Sequence, residues 1–189
     1  MGDTSSYPVP EVELMQRVKR LAGPVLDGFA PLTSAPESFW AALTANESGR
    51  YLIHNLSVPP NFEPKVYHYF EDVLHGIGLS YAGMKQVELE VMADAEIRAL
   101  ASSHGLTQVM GYQAHVQRHP VSDLEDPEKH YPIAAGVMVG FLNHFGLDPQ
   151  ADFAAMATCW NTGNPNGVTT DPEYVSNLLL RKAIWEALS

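Results

Sequence analysis

Phe39-Trp-Ala-Ala-Leu-Thr-Ala-Asn-Glu-Ser-Gly49 reads as an apolar helix that ends in a carboxylic acid. Ser34-Ala-Pro-Glu37 in front of it supplies a start: Ser34 as cap, Pro36 early, and Glu37 in the first turn. Ser48-Gly49 supplies the stop. The spacing predicts a helix over 36–48 with Phe39, Ala42 and Leu43 on one side. Glu47 then lies at the helix C-terminus, where the dipole opposes a negative charge. A carboxyl group closing an apolar helix also loses water, which holds it protonated toward neutral pH. Such a group can act as a general acid toward an oxygen leaving group. The plainer reading of a glutamate at a helix end is one satisfied by nearby backbone or an arginine, so the rest of the chain decides.

On the N-terminal side, residues 1–9 read as a loosely attached start. Residues 10–22 read as an amphipathic helix through Val12, Met15, Val18 and Leu21, stopped by Gly23-Pro24. On the other side, Tyr51–Val58 suits a strand or extended loop, and Pro59-Pro60-Asn61 a turn. Further helices are predicted at 65–74, 83–102, 132–145, 150–160 and 172–187, with a helical turn at 113–119 stopped before Pro120 and a second irregular or β portion at 104–112. Pro132–Phe145 is apolar almost all round, which predicts burial at a core centre. The expected fold class is mainly α with a small β or irregular segment.

Three later segments have the composition of a sugar-binding cleft: His104-Gly-Leu-Thr-Gln-Val-Met-Gly-Tyr112, Cys159-Trp-Asn-Thr-Gly163 and Asp171-Pro-Glu-Tyr-Val175. Gln108 can offer its amide to an N-acetyl or hydroxyl group. Tyr112 and Trp160 can stack on sugar faces, although aromatic rings more often belong to a core. Asn161 opens a turn cluster running to Gly167. Glycosidic cleavage usually divides its work between two carboxylates. Glu63, in Asn61-Phe-Glu-Pro64, is the best second one, although a glutamate beside a proline is often only a turn or helix-start residue. His115 and His119 are four apart but lack the glutamate of a metalloprotease helix, so no metal site and no cofactor is expected. Cys159 lies in an apolar stretch and reads as a small core residue.

The order Glu-Ser, Gly-Leu-Thr-Gln-Val-Met-Gly, aromatic-Asn-x-Gly and Tyr-Val resembles the lysozyme-like superfamily, most of all lytic transglycosylases and phage and bacterial N-acetylmuramidases. The resemblance covers roughly residues 36–186, with 1–35 as an N-terminal extension and 36–189 as the domain. It implies a lysozyme-like fold and a catalytic glutamate at Glu47, with Ser48 beside it. It also implies a cleft segment containing Gly105, Leu106, Gln108 and Met110, a turn facing the cleft at Asn161 and Gly163, and Tyr174 as the tyrosine near the glutamate, packing and orienting it through its hydroxyl. His104, Thr107, Val109 and Trp160 depart from the common pattern. The implied activity is cleavage of the β-1,4 bond between N-acetylmuramic acid and N-acetylglucosamine in peptidoglycan. With Glu63 as base the product is hydrolytic. Without a second carboxylate, the N-acetyl group can assist and the muramic 6-hydroxyl can attack, giving an anhydro product as lytic transglycosylases do.

Composition narrows the alternatives. A net charge of −11 disfavours a nucleic-acid binder, which needs a basic face. The single cysteine forbids an intrachain disulfide. No apolar run approaches a membrane span, so no membrane insertion is expected. The first residues lack the basic and apolar regions of a secretory signal, although Met1-Gly2 to Ser6 fits the loose myristoylation pattern. The expectation is a monomer, made in the cytoplasm, that reaches glycan strands of the cell wall by another route of release. A non-catalytic glycan-binding module and an unrelated helical interaction protein remain the rival classes.

Overall fold

The computed structural model describes residues 3–30 and 33–188. Residues 1 and 2, which begin the myristoylation pattern, lie outside them. In chain order the helices are α1 (Val9–Phe29), α2 (Glu37–Ser48), α3 (Pro64–Leu74), α4 (Gln86–Leu89), α5 (Asp94–Leu100), α6 (Gly111–Val116), α7 (Pro127–Phe145), α8 (Phe153–Thr162) and α9 (Tyr174–Leu188). The short strands are β1 (Asn61–Phe62), β2 (Ser80–Tyr81), β3 (Met84–Lys85), β4 (Ser102–His104) and β5 (Val109–Met110). The fold is mainly α, as expected. Its division is not at residue 35. The chain forms two compact units, residues 1–57 with 134–189, and residues 58–133.

The first unit is built around α2. Every residue from Ser38 to Ala45 is buried. The run Ser38–Asn46 carries no charged side chain, so the helix can be covered on all sides without stranding an ion. Helices α1 and α9 pack on it and on each other. Trp40 meets Phe29, Phe39 and Trp160 edge-on at 5.4, 5.7 and 6.3 Å, and Phe39 stacks on Phe153 at 6.1 Å. Truncating either central ring to alanine costs roughly 3–5 kcal/mol.

Three expectations about this unit change, and a fourth about helix α7, whose first residues belong to the other unit. Helix α1 runs through Gly23-Pro24 to Phe29, because Leu26 and Phe29 are buried and their packing outweighs the one hydrogen bond that Pro24 removes. Pro36 rather than Ser34 precedes α2, without a side-chain cap, and the Ser34 carbonyl accepts from the Gln150 amide instead. Gly49 follows α2 in a right-handed conformation. A Cβ there would lie 2.5 Å from the Ala45 oxygen and 2.8 Å from Leu14 Cδ1, so the glycine serves close approach of α1. Helix α7 begins at Pro127 and is not buried all round. Tyr131, Ala134, Met138 and Leu142 are buried, while Val139 and Gly140 are exposed. Its outer face carries Gly136, Val139, Gly140, Asn143 and His144.

The second unit contains a three-stranded antiparallel sheet in the order β1-β4-β5, with Asn61 opposite Ser103 and Ser103 opposite Met110. The expected β character at 104–112 is therefore present as the β4–β5 hairpin. No strand forms at 51–58. The helix expected over 83–102 is instead the β2–β3 hairpin, whose Ala82-Gly83 turn has φ of 49° and 89°, followed by α4 and α5. A core of Phe70, Val73, Met84, Leu89, Ile97, Leu100 and Ala101 holds these pieces together.

Candidate active site

Helix α2 delivers Glu47 in its last turn, where the helix dipole opposes an ionised carboxylate. The residue is partly buried. Desolvation pushes its pKa up to about 7, against a smaller opposite pull from the Tyr174 hydroxyl, which donates to Glu47 Oε1. Tyr174, the first residue of α9, is 7% exposed and its own ionisation is strongly suppressed by burial and by the Glu47 carboxyl. The pair therefore holds one neutral phenol against one carboxyl group that gains and loses its proton near neutral pH.

A second set of contacts fixes that geometry. Arg181 lies seven residues after Tyr174, on the same face of α9. Its Nε and Nη2 reach Glu11 at 2.7 and 3.1 Å, a two-pronged ion pair with α1. Its Nη1 donates to Asn46 Oδ1 at 2.7 Å, and Asn46 Nδ2 donates to the Tyr174 carbonyl at 2.8 Å. Three helices are thus tied within two turns of the glutamate. Sequence reading missed Glu11, Asn46 and Arg181; the seven-residue step from Tyr174 to Arg181 was the available signal.

Glu47 opens on a hollow of about 510 Å³ lined also by Leu14, Arg17, Asn46, Arg50 and Arg181, all in the same unit. Among the described residues Glu47 is the one carboxyl group lining it. Ser48 is fully buried, so it belongs to the interior and not to the wall. Trp160 is half-buried against Trp40 and is part of the aromatic core. Asn161 is exposed in the last turn of α8, not in the following turn, because that helix runs two residues further to a left-handed Gly163.

The remaining candidates lie in the 58–133 unit. Glu63 precedes α3 and accepts a 2.6 Å hydrogen bond from Asn61 Nδ2. Gln108 has φ of 54° and braces its own hairpin: Oε1 accepts from Ser103 Oγ at 2.8 Å and Nε2 donates to the Gly105 carbonyl at 2.9 Å. One amide hydrogen and one lone pair remain for a ligand. Met110 is half-buried before α6. Tyr112 packs edge-on with Phe70 and Tyr81, and burial raises its pKa to about 12, so it serves the core. His119 faces Asp123 at 3.6 Å, and among the described residues no three His, Cys, Asp or Glu side chains gather as a metal site. Likewise no described helix is long and apolar enough to cross a membrane. No family model, curated protein or solved structure matches this chain.

Proposed function

We propose that this chain is a lysozyme-like glycosidase that cleaves the β-1,4 bond between N-acetylmuramic acid and N-acetylglucosamine in peptidoglycan, with Glu47 as general acid. The observation that carries the reading is the state of Glu47. A carboxyl group with a pKa near 7, tied to Tyr174 and opening on a hollow, can hold a proton at neutral pH and release it to a glycosidic oxygen. The central apolar helix that ends in this residue, and the short antiparallel sheet of the other unit, support the lysozyme-like architecture.

Proton delivery weakens the bond to the leaving sugar, and positive charge develops at the anomeric carbon. A hydrolase completes the reaction with water, for which Glu63 is the candidate base. A second outcome has its own support: no other described carboxyl group lines the hollow at Glu47. The muramic 6-hydroxyl would then attack the anomeric carbon intramolecularly and give its proton to the Glu47 carboxylate left by the first step, the lytic-transglycosylase outcome.

The test is mass spectrometry of fragments released from purified peptidoglycan by wild type and Glu63→Gln. Reducing muramic ends that vanish in Glu63→Gln mean hydrolysis with Glu63 as base. Fragments lighter by one water, formed equally by both proteins, mean the anhydro route. No fragments from folded wild type would refute the enzyme reading.

A further inference from the structure

The hollow beside Glu47 concentrates cations in an acidic protein. The chain has six arginines (Arg17, Arg20, Arg50, Arg98, Arg118 and Arg181) against a net charge of −11, and three of them line this one space. Their situations differ. Arg181 is fully engaged by Glu11 and Asn46. Arg17 makes no ion pair among the described residues, and its Nε is buried without a hydrogen-bond partner. Arg50 is exposed and lies over the Tyr51 ring at 4.6 Å, again with no carboxylate partner among the described residues. A guanidinium stripped of water at one nitrogen and given no anion by the protein is a poor use of a charge unless a ligand supplies the anion. Leu14 and Ala45 add an apolar wall suited to methyl groups.

We propose that this hollow is a carboxylate subsite, in which Arg17 and Arg50 receive an acidic group carried by the muramic sugar next to the bond being cleaved. The inference rests on the peptidoglycan reading and deepens it. The acid can come from the lactyl ether of a bare glycan or from the peptide attached to it, and both present a carboxylate a few bonds from the ring. The subsite gives α1, which lies outside the resemblance to known glycosidases, a part in selecting substrate. It also explains how an acidic protein tolerates an acidic polymer: attraction is local and aimed, while the long-range field is repulsive.

The experiment is calorimetric binding at low and high salt to Glu47→Gln, which prevents turnover. The probes are chitotetraose, the bare tetrasaccharide of alternating N-acetylglucosamine and N-acetylmuramic acid, its methyl ester, and the same tetrasaccharide bearing peptides. The expected result is at least about tenfold tighter binding of a carboxylate-bearing probe than of chitotetraose or the ester, lost at high salt. Arg17→Gln with Arg50→Gln should erase that preference while leaving chitotetraose binding within about twofold. Arg50→Gln alone changes an exposed residue, so it keeps the test open if the double variant fails to fold; it should weaken the preference measurably. Preference for the bare acid names the lactyl group as the source, and preference only for the peptide-bearing probe names the peptide. Equal binding of acid and ester, or a preference that survives the arginine changes, overturns the subsite. Wild-type protein that keeps the charge preference but releases no fragments would refute the enzyme reading and leave the subsite standing.

Discussion

His130 in the 58–133 unit and Glu47 in the other unit are both stripped of water, and both are pushed toward their neutral forms. The resemblance ends there. His130 is fully buried with each ring nitrogen in use: Nδ1 donates to the Leu124 carbonyl at 3.0 Å, and Nε2 accepts from the Thr107 backbone N–H at 2.9 Å. It pins the β4–β5 loop to the short 3-10 turn at Val121–Glu125. Burial lowers its pKa to about 4, against a smaller upward pull from the hydrogen bond to the Leu124 carbonyl. Glu47 accepts one described hydrogen bond, from Tyr174, and opens on a hollow. Burial alone therefore does not mark a catalytic group. The proposed role of Glu47 rests instead on an acid with one described hydrogen bond beside an accessible space.

The largest expected effect separates the two sites by activity. Glu47→Gln retains shape and the Tyr174 hydrogen bond but has no proton to give, so fragment release should fall by about a thousandfold or more while circular dichroism is unchanged. A folded Glu47→Gln protein with ordinary activity would erase the distinction drawn between the two sites.

Next in size is a change beneath His130. Gly105 has φ of 69°, and a Cβ there would lie 2.1 Å from the Leu124 oxygen and 2.4 Å from His130 Nδ1. Gly105→Ala should lose at least about 3 kcal/mol in denaturant unfolding, since neither backbone nor ring can retreat without breaking the pin. A loss below about 1 kcal/mol would mean the contact is looser than described.

Opposite pH slopes follow from the two groups. His130 has a folded pKa below its ordinary 6.5, so the unfolded chain binds more protons between pH 6.5 and 4. Stability should fall as pH drops through that window, by up to about 3 kcal/mol. Glu47 has a folded pKa above its ordinary 4.5, so the folded chain keeps the extra proton. Its stabilising contribution is complete below 4.5 and is lost as pH rises through 7, again by up to about 3 kcal/mol. Glu47→Gln should therefore gain stability relative to wild type from pH 4.5 to 8, read as melting temperature across pH. A constant difference across that range would contradict the shift.

The smallest effect belongs to the positioning residue. Tyr174→Phe removes the bond that favours ionised Glu47, so the alkaline limb of the pH–rate profile should move upward, with a rate loss of about tenfold or less at neutral pH. A merely structural tyrosine would lower activity without moving that limb.

How far these sites could be read from the chain follows from the same physics. Helix α2 was legible because one uncharged run, Ser38–Asn46, bounded by Glu37 and Glu47, carries both its length and its burial. Glu47 was legible as the charged residue that such a helix leaves at its end. The hairpin at Ser80–Lys85 was not, because Ala82 adopts a left-handed conformation that alanine rarely signals. The length of α1 was hidden by Pro24, whose local preference yields to the packing of Leu26 and Phe29. The seven-residue step from Tyr174 marks Arg181 as a neighbour on the same face, but its partners Glu11 and Asn46 come from two other helices, and that meeting is encoded by no local pattern. Ser48 and Tyr112 carry hydroxyls that look available in a string of letters, yet one is fully buried and the other packs into a core.

The most direct test of the central claim is a ¹³C NMR titration of the Glu47 carboxyl carbon in the intact chain, assigned by its disappearance in Glu47→Gln. The account predicts a midpoint near pH 7, well above an ordinary glutamate. A midpoint near 4.5 would mean that Glu47 is ionised at neutral pH and cannot serve as the acid, and the proposed mechanism would fall.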